Sequence, residues 1–292
     1  MLYVTTRNDL DAVTSHRVLT EDRAEDGGFY VPLRHPVFSH EELDKLTAMP
    51  FSQRMAEVLN VLFQTKLTRW DVEFSIGRSA VKLVPLRHRI VMGEFWHNPD
   101  WCFRKMEHSL ANLLGSHIPG SWLRIAIRAA VLAAVSLELS EEGGEVDVSA
   151  VSGDFLWPVS AWYARRWGFP VGSIIMCCNE NKSIWVLICH GQLRTDAVGI
   201  STELPEADIA IPAELERLIY GCGGKEETER YLDCLRRGIS YFAEGQMLSA
   251  LQAGNYVSVV SSHRIPDILM GVLGTHSYLL TPASALAYGG HR

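Results

Sequence analysis

The sequence has few of the cysteine and histidine patterns that mark metal or redox sites. Its six cysteines are scattered, and none form the CxxC pairs typical of zinc sites and thiol redox sites. Cys177 and Cys178 are adjacent within an apolar run, which indicates buried thiols rather than a disulfide. The eleven histidines include no HExxH-like pair, in which two histidines four residues apart accompany an acid. We therefore predict no metal site.

A long apolar segment, an excess of basic residues and a secretory signal are also missing. The longest apolar stretch, residues 125–137, contains Arg128 and is shorter than the roughly 20 residues that cross a bilayer. A formal net charge of -7 leaves no cationic face for a nucleic acid backbone. The N-terminus has no apolar stretch preceded by basic residues. We expect a cytoplasmic protein that binds neither membranes nor nucleic acid.

The chain does have the composition and patterning of a folded α/β protein. Of its 292 residues, 47% are hydrophobic and 21% are charged, as in globular proteins with a sizeable core. Residues 146–151 and 173–178 have the apolar character of buried parallel strands, and a glycine turn and a helix over residues 159–167 separate them. This order predicts a right-handed βαβ unit. The expected fold is α/β, with a mostly parallel sheet flanked by helices.

Four stretches of the sequence carry a resemblance to a known family. Residues 3–7 read YVTTR, residues 24–32 read AEDGGFYVP, residues 161–181 read AWYARRWGFPVGSIIMCCNEN and residues 211–220 read IPAELERLIY. In the same order they resemble YxSTRG, LAxDGGLYVP, AGYYAKKMGLPIKKLIVATNEN and VPSNFERLLF of the threonine synthases. These are fold-type II enzymes that use pyridoxal phosphate. The resemblance spans nearly the whole chain.

The resemblance implies two regions and one deletion. Residues 1–90 correspond to the N-terminal segment of the threonine synthases, which we expect to pack on the core. Residues 91–292 correspond to a remnant of the large pyridoxal phosphate-binding domain. Family members insert a small α/β domain between two helices whose counterparts here end near Leu114 and begin near Trp122. We therefore expect that the small domain has been deleted near residues 115–121.

The cofactor lysine of the family is replaced. The family motif ELFHGPTLAFKDF corresponds to EFWHNPDWCFRKM at residues 94–106, which places Arg104 at the lysine position. A guanidinium stays protonated and cannot form the imine that a lysine forms with pyridoxal phosphate. Lys105 lies one residue further along a helix and therefore points about 100° away. We predict a degenerate threonine synthase-like protein that uses no cofactor.

The phosphate-binding loop is altered as well. The family's PTGNFGN, whose backbone N–H groups face the cofactor phosphate at a helix N-terminus, reads VSGDFLW at residues 151–157. Asp154 introduces a negative charge where an anion would bind, and Trp157 adds bulk where the backbone must come close. Both changes predict that phosphate no longer binds.

The segment at residues 94–104 and the loop at residues 152–157 nevertheless remain the predicted walls of a functional cleft, because ligands collect at the carboxyl ends of strands in open α/β sheets. We predict that His97 transfers a proton, that Arg104 or Lys105 binds an anion, and that tryptophans form the walls. The candidate catalytic residues are Glu94, His97, Arg104, Lys105 and Asp154. The candidate ligand-binding residues are Trp96, Trp101, Ser152, Gly153, Trp157 and Asn179.

Three functions remain open on these residues. The first is a pyridoxal phosphate-independent enzyme that acts on a small amino-acid-like or phosphorylated substrate in specialised metabolism. The others are non-catalytic: a ligand-binding pseudoenzyme, or an interaction subunit in which tryptophans fill the old pocket and an Arg104–Asp154 ion pair joins its walls. We also expect a homodimer, because loss of a domain uncovers apolar surface.

Overall fold

The protein is described from a computed structural model, in which the following elements are defined. The described residues are 1–77, 81–86, 89–95, 102–117, 119–140 and 144–291. The strands are β1 Leu2–Thr5, β2 Val13–Thr14, β3 Tyr30–Pro32, β4 Lys82–Pro85, β5 Val91–Glu94, β6 Val146–Val151, β7 Val171–Cys178, β8 Gln192–Leu193, β9 Tyr241–Phe242 and β10 Asn255–Val259. The α-helices are α1 Ser15–Thr20, α2 His40–Thr47, α3 Phe51–Phe63, α4 Arg69–Ile76, α5 Phe103–Leu113, α6 Ser121–Leu139, α7 Leu156–Arg166, α8 Ser183–His190, α9 Leu215–Arg237, α10 Gly245–Gln252, α11 Ile265–His276 and α12 Pro282–His291.

The central sheet is parallel and has the strand order β10–β7–β6. Cys177 of β7 pairs with Val151 of β6, and Cys178 pairs with Val259 of β10, so the three carboxyl ends lie side by side. The helix α7 connects β6 to β7, which confirms the expected βαβ unit. The other described sheets, β2–β1–β3, β4–β5 and β8–β9, are antiparallel.

Helices cover both faces of the central sheet. Successive side chains of a strand point to opposite faces. Met176 and Cys178 of β7 belong to the main hydrophobic core, which also contains buried residues of α3, α6 and α7. Cys177 belongs to a second core with Leu286 of α12 and Val272 of α11. The predicted fold class, a parallel sheet flanked by helices, is therefore confirmed.

The N-terminal segment is held on the core by the residues that carry the family resemblance. The hydroxyl of Tyr3 donates a hydrogen bond to the carbonyl oxygen of Leu62, and the Arg7 guanidinium forms a 3.0 Å ion pair with the buried Glu216. Arg217 is completely buried, where its Nε donates to the carbonyl oxygen of Tyr30. The first contact joins β1 to α3, and the other two join Arg7 and β3 to the start of α9. The motifs at residues 3–7, 24–32 and 211–220 therefore make contacts that stabilise the fold.

Two helices show how local hydrogen bonds set a helix start. The capping box of Ser39 and Glu42 is present at the start of α2. In contrast, α7 begins at Leu156, three residues before its predicted start at residue 159, because the Asp154 carboxylate accepts the Leu156 N–H. None of the helices in the described part of the chain has the length and apolar character that a bilayer crossing needs.

Candidate functional site

The two predicted walls of the cleft meet through three aromatic rings. Phe95 follows β5, Phe103 opens α5 and Trp157 lies in the first turn of α7. Ring centroids are 4.9 Å apart for Phe95 and Phe103, and 4.8 Å apart for Phe103 and Trp157. We call these three residues the aromatic cluster. It closes the gap between the β5–α5 segment and the loop that follows β6.

A buried arginine packs against this aromatic cluster. The Arg128 guanidinium of α6 lies 4.7 Å from the ring centroid of Phe103 and 5.4 Å from that of Trp157. Contacts of this kind are cation–π interactions, and they are strongest where water is excluded. Only 6% of the Arg128 surface is exposed. The space between α5, α6 and α7 is consequently filled by protein.

A buried carboxylate neutralises Arg128 and its neighbour on α6. Glu107 of α5 accepts from Arg128 Nη1 at 2.7 Å through Oε2 and from Arg124 Nε at 2.9 Å through Oε1. Burial lowers the pKa of Arg128, and the opposite charge of Glu107 counteracts that effect. The Arg128 Nε has no hydrogen-bond partner among the described residues. We call Glu107, Arg124 and Arg128 the Arg–Glu–Arg triad.

Asp154 in the altered loop has two partners. Its Oδ1 accepts the backbone N–H of Leu156 at 3.0 Å, and its Oδ2 lies 4.0 Å from Arg124 Nη2. The expected ion pair with Arg104 is therefore absent from the described residues, and Arg124 takes that position instead. The physical reason is that Arg124 projects from α6, which packs against α7, whereas Arg104 lies on the exposed side of α5.

The loop that precedes Asp154 is enclosed by protein. A Cβ atom at Gly153 would overlap the carbonyl oxygen of Glu206, so only glycine fits there. The buried Ser152 hydroxyl donates to the Cys178 sulfur at 3.2 Å. Phe155 has a φ of 66°, in the left-handed region, and its side chain is fully buried. The loop is thus packed against its neighbours on more than one side.

The remaining candidate catalytic residues lie in different surroundings. Arg104 and Lys105 are both exposed, and Arg104 has no hydrogen bond or ion pair to a described residue. Glu94, at the end of β5, lies 3.6 Å from Lys82 Nζ. Burial raises the pKa of Tyr278, and the neighbouring Glu94 carboxylate raises it further. His97, Trp96 and Trp101 lie outside the described residues.

Asn179 has its hydrogen-bonding groups occupied by protein partners. Its Nδ2 donates to Asp208 Oδ1 at 2.7 Å and to Thr202 Oγ1 at 3.0 Å, while its Oδ1 accepts the Asn181 N–H at 2.9 Å. Asn179 is completely buried. Its contacts join the end of β7 to residues 200–208.

Sequence reasoning missed the Arg–Glu–Arg triad. Arg124 and Arg128 are four residues apart and therefore share one face of α6. That spacing, together with an arginine inside the longest apolar stretch, was the available signal. Nothing in the local sequence identifies Glu107 as the partner, because the pairing depends on how α5 packs against α6.

Comparison with known proteins supports the family resemblance. Residues 2–80 match a family model described as "Threonine synthase N terminus". The structure resembles that of threonine synthase from Brucella melitensis, a pyridoxal phosphate-bound crystal structure, with a TM-score of 0.85 and 18% identity. The alignment covers 100% of this chain and 85% of that one. The fold is that of the threonine synthases.

Two further threonine synthases have structures similar to that of this chain. The yeast enzyme has a TM-score of 0.83 at 14% identity and covers 98% of this chain and 82% of its own. The Escherichia coli enzyme has a TM-score of 0.76 at 14% identity and covers 99% of this chain and 84% of its own. No curated protein sequence matches this chain significantly. The chain thus has the fold of the threonine synthases, as the sequence motifs predicted.

Within this threonine synthase fold, no group of three or more histidine, cysteine, aspartate or glutamate side chains among the described residues could hold a metal ion. Among the described residues, the cleft contains the aromatic cluster, two arginines and two carboxylates. Such a set packs and neutralises itself, and it offers a part-exposed Arg124 and an exposed Asp154 to solvent.

Proposed function

We propose that this threonine synthase-like protein is a pseudoenzyme that has lost pyridoxal phosphate chemistry and now acts by binding a small ligand or a protein partner. The observation that carries the proposal is the position of Arg128, which packs against Phe103 and Trp157 and pairs with the buried Glu107. A site that keeps room for a substrate would leave such groups open to water.

The residues present do not fit pyridoxal phosphate. The exposed Arg104 stands at the lysine position and cannot supply the amine that the cofactor aldehyde requires. At the helix N-terminus that would receive the phosphate, the Asp154 carboxylate already accepts the Leu156 N–H. A second anion there would meet like-charge repulsion. The aldehyde and the phosphate of the cofactor would therefore both lack a partner.

A pyridoxal phosphate-independent enzyme is the second candidate, acting on a small amino-acid-like or phosphorylated substrate. Arg124 favours this function, because 39% of its side chain is exposed beside Asp154 and could bind an anionic group. In that case His97→Ala should abolish turnover without changing the melting temperature. A purely structural role for His97 predicts a lower melting temperature instead.

The test of the proposed function is titration of the purified protein with pyridoxal phosphate. We expect no visible absorbance band from a lysine–cofactor imine, and no cofactor fixed to the chain by borohydride. Lys105→Arg should behave like the wild type. Arg104→Lys should also fail to bind the cofactor, because Asp154 and the aromatic cluster are unchanged.

A stable visible band in the wild type, with the reduced cofactor located on Lys105 by peptide mass spectrometry, would contradict the loss of cofactor chemistry. Loss of that band in Lys105→Arg would then identify Lys105 as the attachment site. The same titration followed by circular dichroism reports whether the cofactor binds without a covalent bond.

A further inference from the structure

A cavity of about 470 Å³ lies between α11, α12 and the end of β10. Val260, Ile268 and Val272 make part of its wall apolar. None of the described residues predicted for the cleft between residues 94–104 and 152–157 lines it. Small-molecule sites typically have volumes of about 300–1,000 Å³, and the volume of this cavity falls within that range. The cavity is therefore a second place where this fold could hold a ligand.

Two opposite charges line the same cavity. Arg264 directly precedes α11 and Asp267 is the third residue of that helix, so they are about one turn apart. Both are exposed, and neither forms an ion pair with a residue that the structure describes, including the other. A cation and an anion are thus presented separately beside an apolar surface.

We infer that this cavity binds an α-amino acid with a large apolar side chain. The ligand carboxylate pairs with Arg264, its ammonium group pairs with Asp267, and its side chain packs on Val260, Ile268 and Val272. An isolated phosphate matches this site less well, because Asp267 would repel it and the apolar wall would stay empty. A purely apolar ligand would remove water from both charges without pairing them.

The helix α11 offers a matched pair of variants. A Cβ atom at Gly271, which lines the cavity, would meet no atom within 4 Å, so a large side chain has room to occupy the cavity. Gly274 is equally open in the same helix but does not line the cavity. A substitution at either position replaces an exposed helical glycine, so the two substitutions should affect the helix itself to a similar extent.

The experiment is isothermal titration of the full chain with L-phenylalanine. We expect binding by the wild type, and at least about tenfold weaker binding of N-acetyl-L-phenylalanine and of L-phenylalanine amide, which each lack one charge. Arg264→Gln and Asp267→Asn should weaken L-phenylalanine binding by a similar factor. Gly271→Trp should abolish binding, and Gly274→Trp should retain it.

Three results would overturn the inference: no binding by the wild type, equal binding of the two derivatives, or unchanged binding by Gly271→Trp. Melting curves show that each variant is folded. If Gly271→Trp does not fold, Thr275→Phe blocks the same cavity from the next turn of α11. It should likewise abolish L-phenylalanine binding, and unchanged binding by Thr275→Phe would then overturn the inference. The inference stands apart from the loss of cofactor chemistry, because none of these measurements involves pyridoxal phosphate.

Discussion

Glu107 and Arg128 form a buried ion pair across the contact between α5 and α6, with 2.7 Å between Glu107 Oε2 and Arg128 Nη1. The other carboxylate oxygen of Glu107 pairs with Arg124. One buried negative charge therefore serves two cations. This arrangement joins α5, which carries Arg104, to α6, whose Arg128 packs against the aromatic cluster.

Glu107→Gln should lower the free energy of unfolding by about 3–5 kcal/mol, because it leaves the buried Arg128 without its counter-charge. Urea unfolding measures the change. The control is Glu41→Gln, which breaks an exposed pair with Lys45 and should cost less than about 1 kcal/mol. Similar losses for the two variants would show that the triad contributes little to stability.

Gly153→Ala should lower the free energy of unfolding by about 1–3 kcal/mol, because its methyl group would overlap the carbonyl oxygen of Glu206 and force the loop or residues 205–207 to move. Gly274→Ala is the matched control and should stabilise the protein by about 0.5–1 kcal/mol, since Gly274 is helical and has open space around it. Thermal unfolding compares the two. If Gly153→Ala left the free energy of unfolding unchanged, the loop would not be packed as described.

Stability should fall as the pH is lowered from about 6.5 towards about 4, in part because of His35. Burial, and then the charge of Arg166, lower the pKa of His35 from 6.5 to about 4. In that interval the unfolded chain binds a proton that folded His35 does not, so acid favours unfolding, and the effect is complete below the folded pKa. His35→Phe should remove this part of the pH dependence.

The measurement for His35 is urea unfolding at several pH values for the wild type and the variant. The His35 ring packs against Trp162 and Tyr163, so phenylalanine keeps the ring contact. His40→Phe, at an exposed position, is the control for other titrating groups. Parallel pH profiles for wild type and His35→Phe would contradict the prediction.

The homodimer stays a prediction, and α4 is where we expect its contact. Phe74 is 95% exposed, and Trp70, four residues earlier on the same face, is 61% exposed. Monomeric proteins rarely leave such apolar patches uncovered. Light scattering should give twice the monomer mass for the wild type and the monomer mass for Phe74→Glu.

Leu10→Glu serves as the control for the homodimer, because Leu10 is also highly exposed but belongs to the connection between β1 and β2 rather than to α4. It should leave the mass unchanged. A monomeric wild type at micromolar concentration would exclude the homodimer, and a dimeric Phe74→Glu variant would place the contact elsewhere.

Local patterns predicted the parts of the fold that depend on neighbouring residues. The strands β6 and β7 and the helix between them are properties of short stretches. The motifs at residues 24–32 and 211–220 predicted the threonine synthase fold. The helices α11 and α12 were not predicted, because α11 exposes apolar residues such as Met270 and Leu273, and α12 contains two glycines, which have low helix propensity.

The functional site stays a prediction, and the structure shows only which of its residues lie near one another. The aromatic cluster does bring the β5–α5 segment to the loop after β6, and Trp157 is part of it. Asp154 was expected to pair with Arg104, but it lies near Arg124. The error arose because sequence alignment shows which residues were replaced, without showing which side of α5 faces α6.

The sequence by itself determined which residue types the chain supplies: Arg104 and Asp154, in segments that resemble the cofactor-binding motifs of the threonine synthases, and the motifs that predicted the fold. These are properties of residue type and order. Only the tertiary structure decided that Glu107 holds two arginines and that Arg128 fills the space beside Trp157. The reason is that an ion pair between two helices depends on their packing and rotation, and these are set by the whole core rather than by either helix alone.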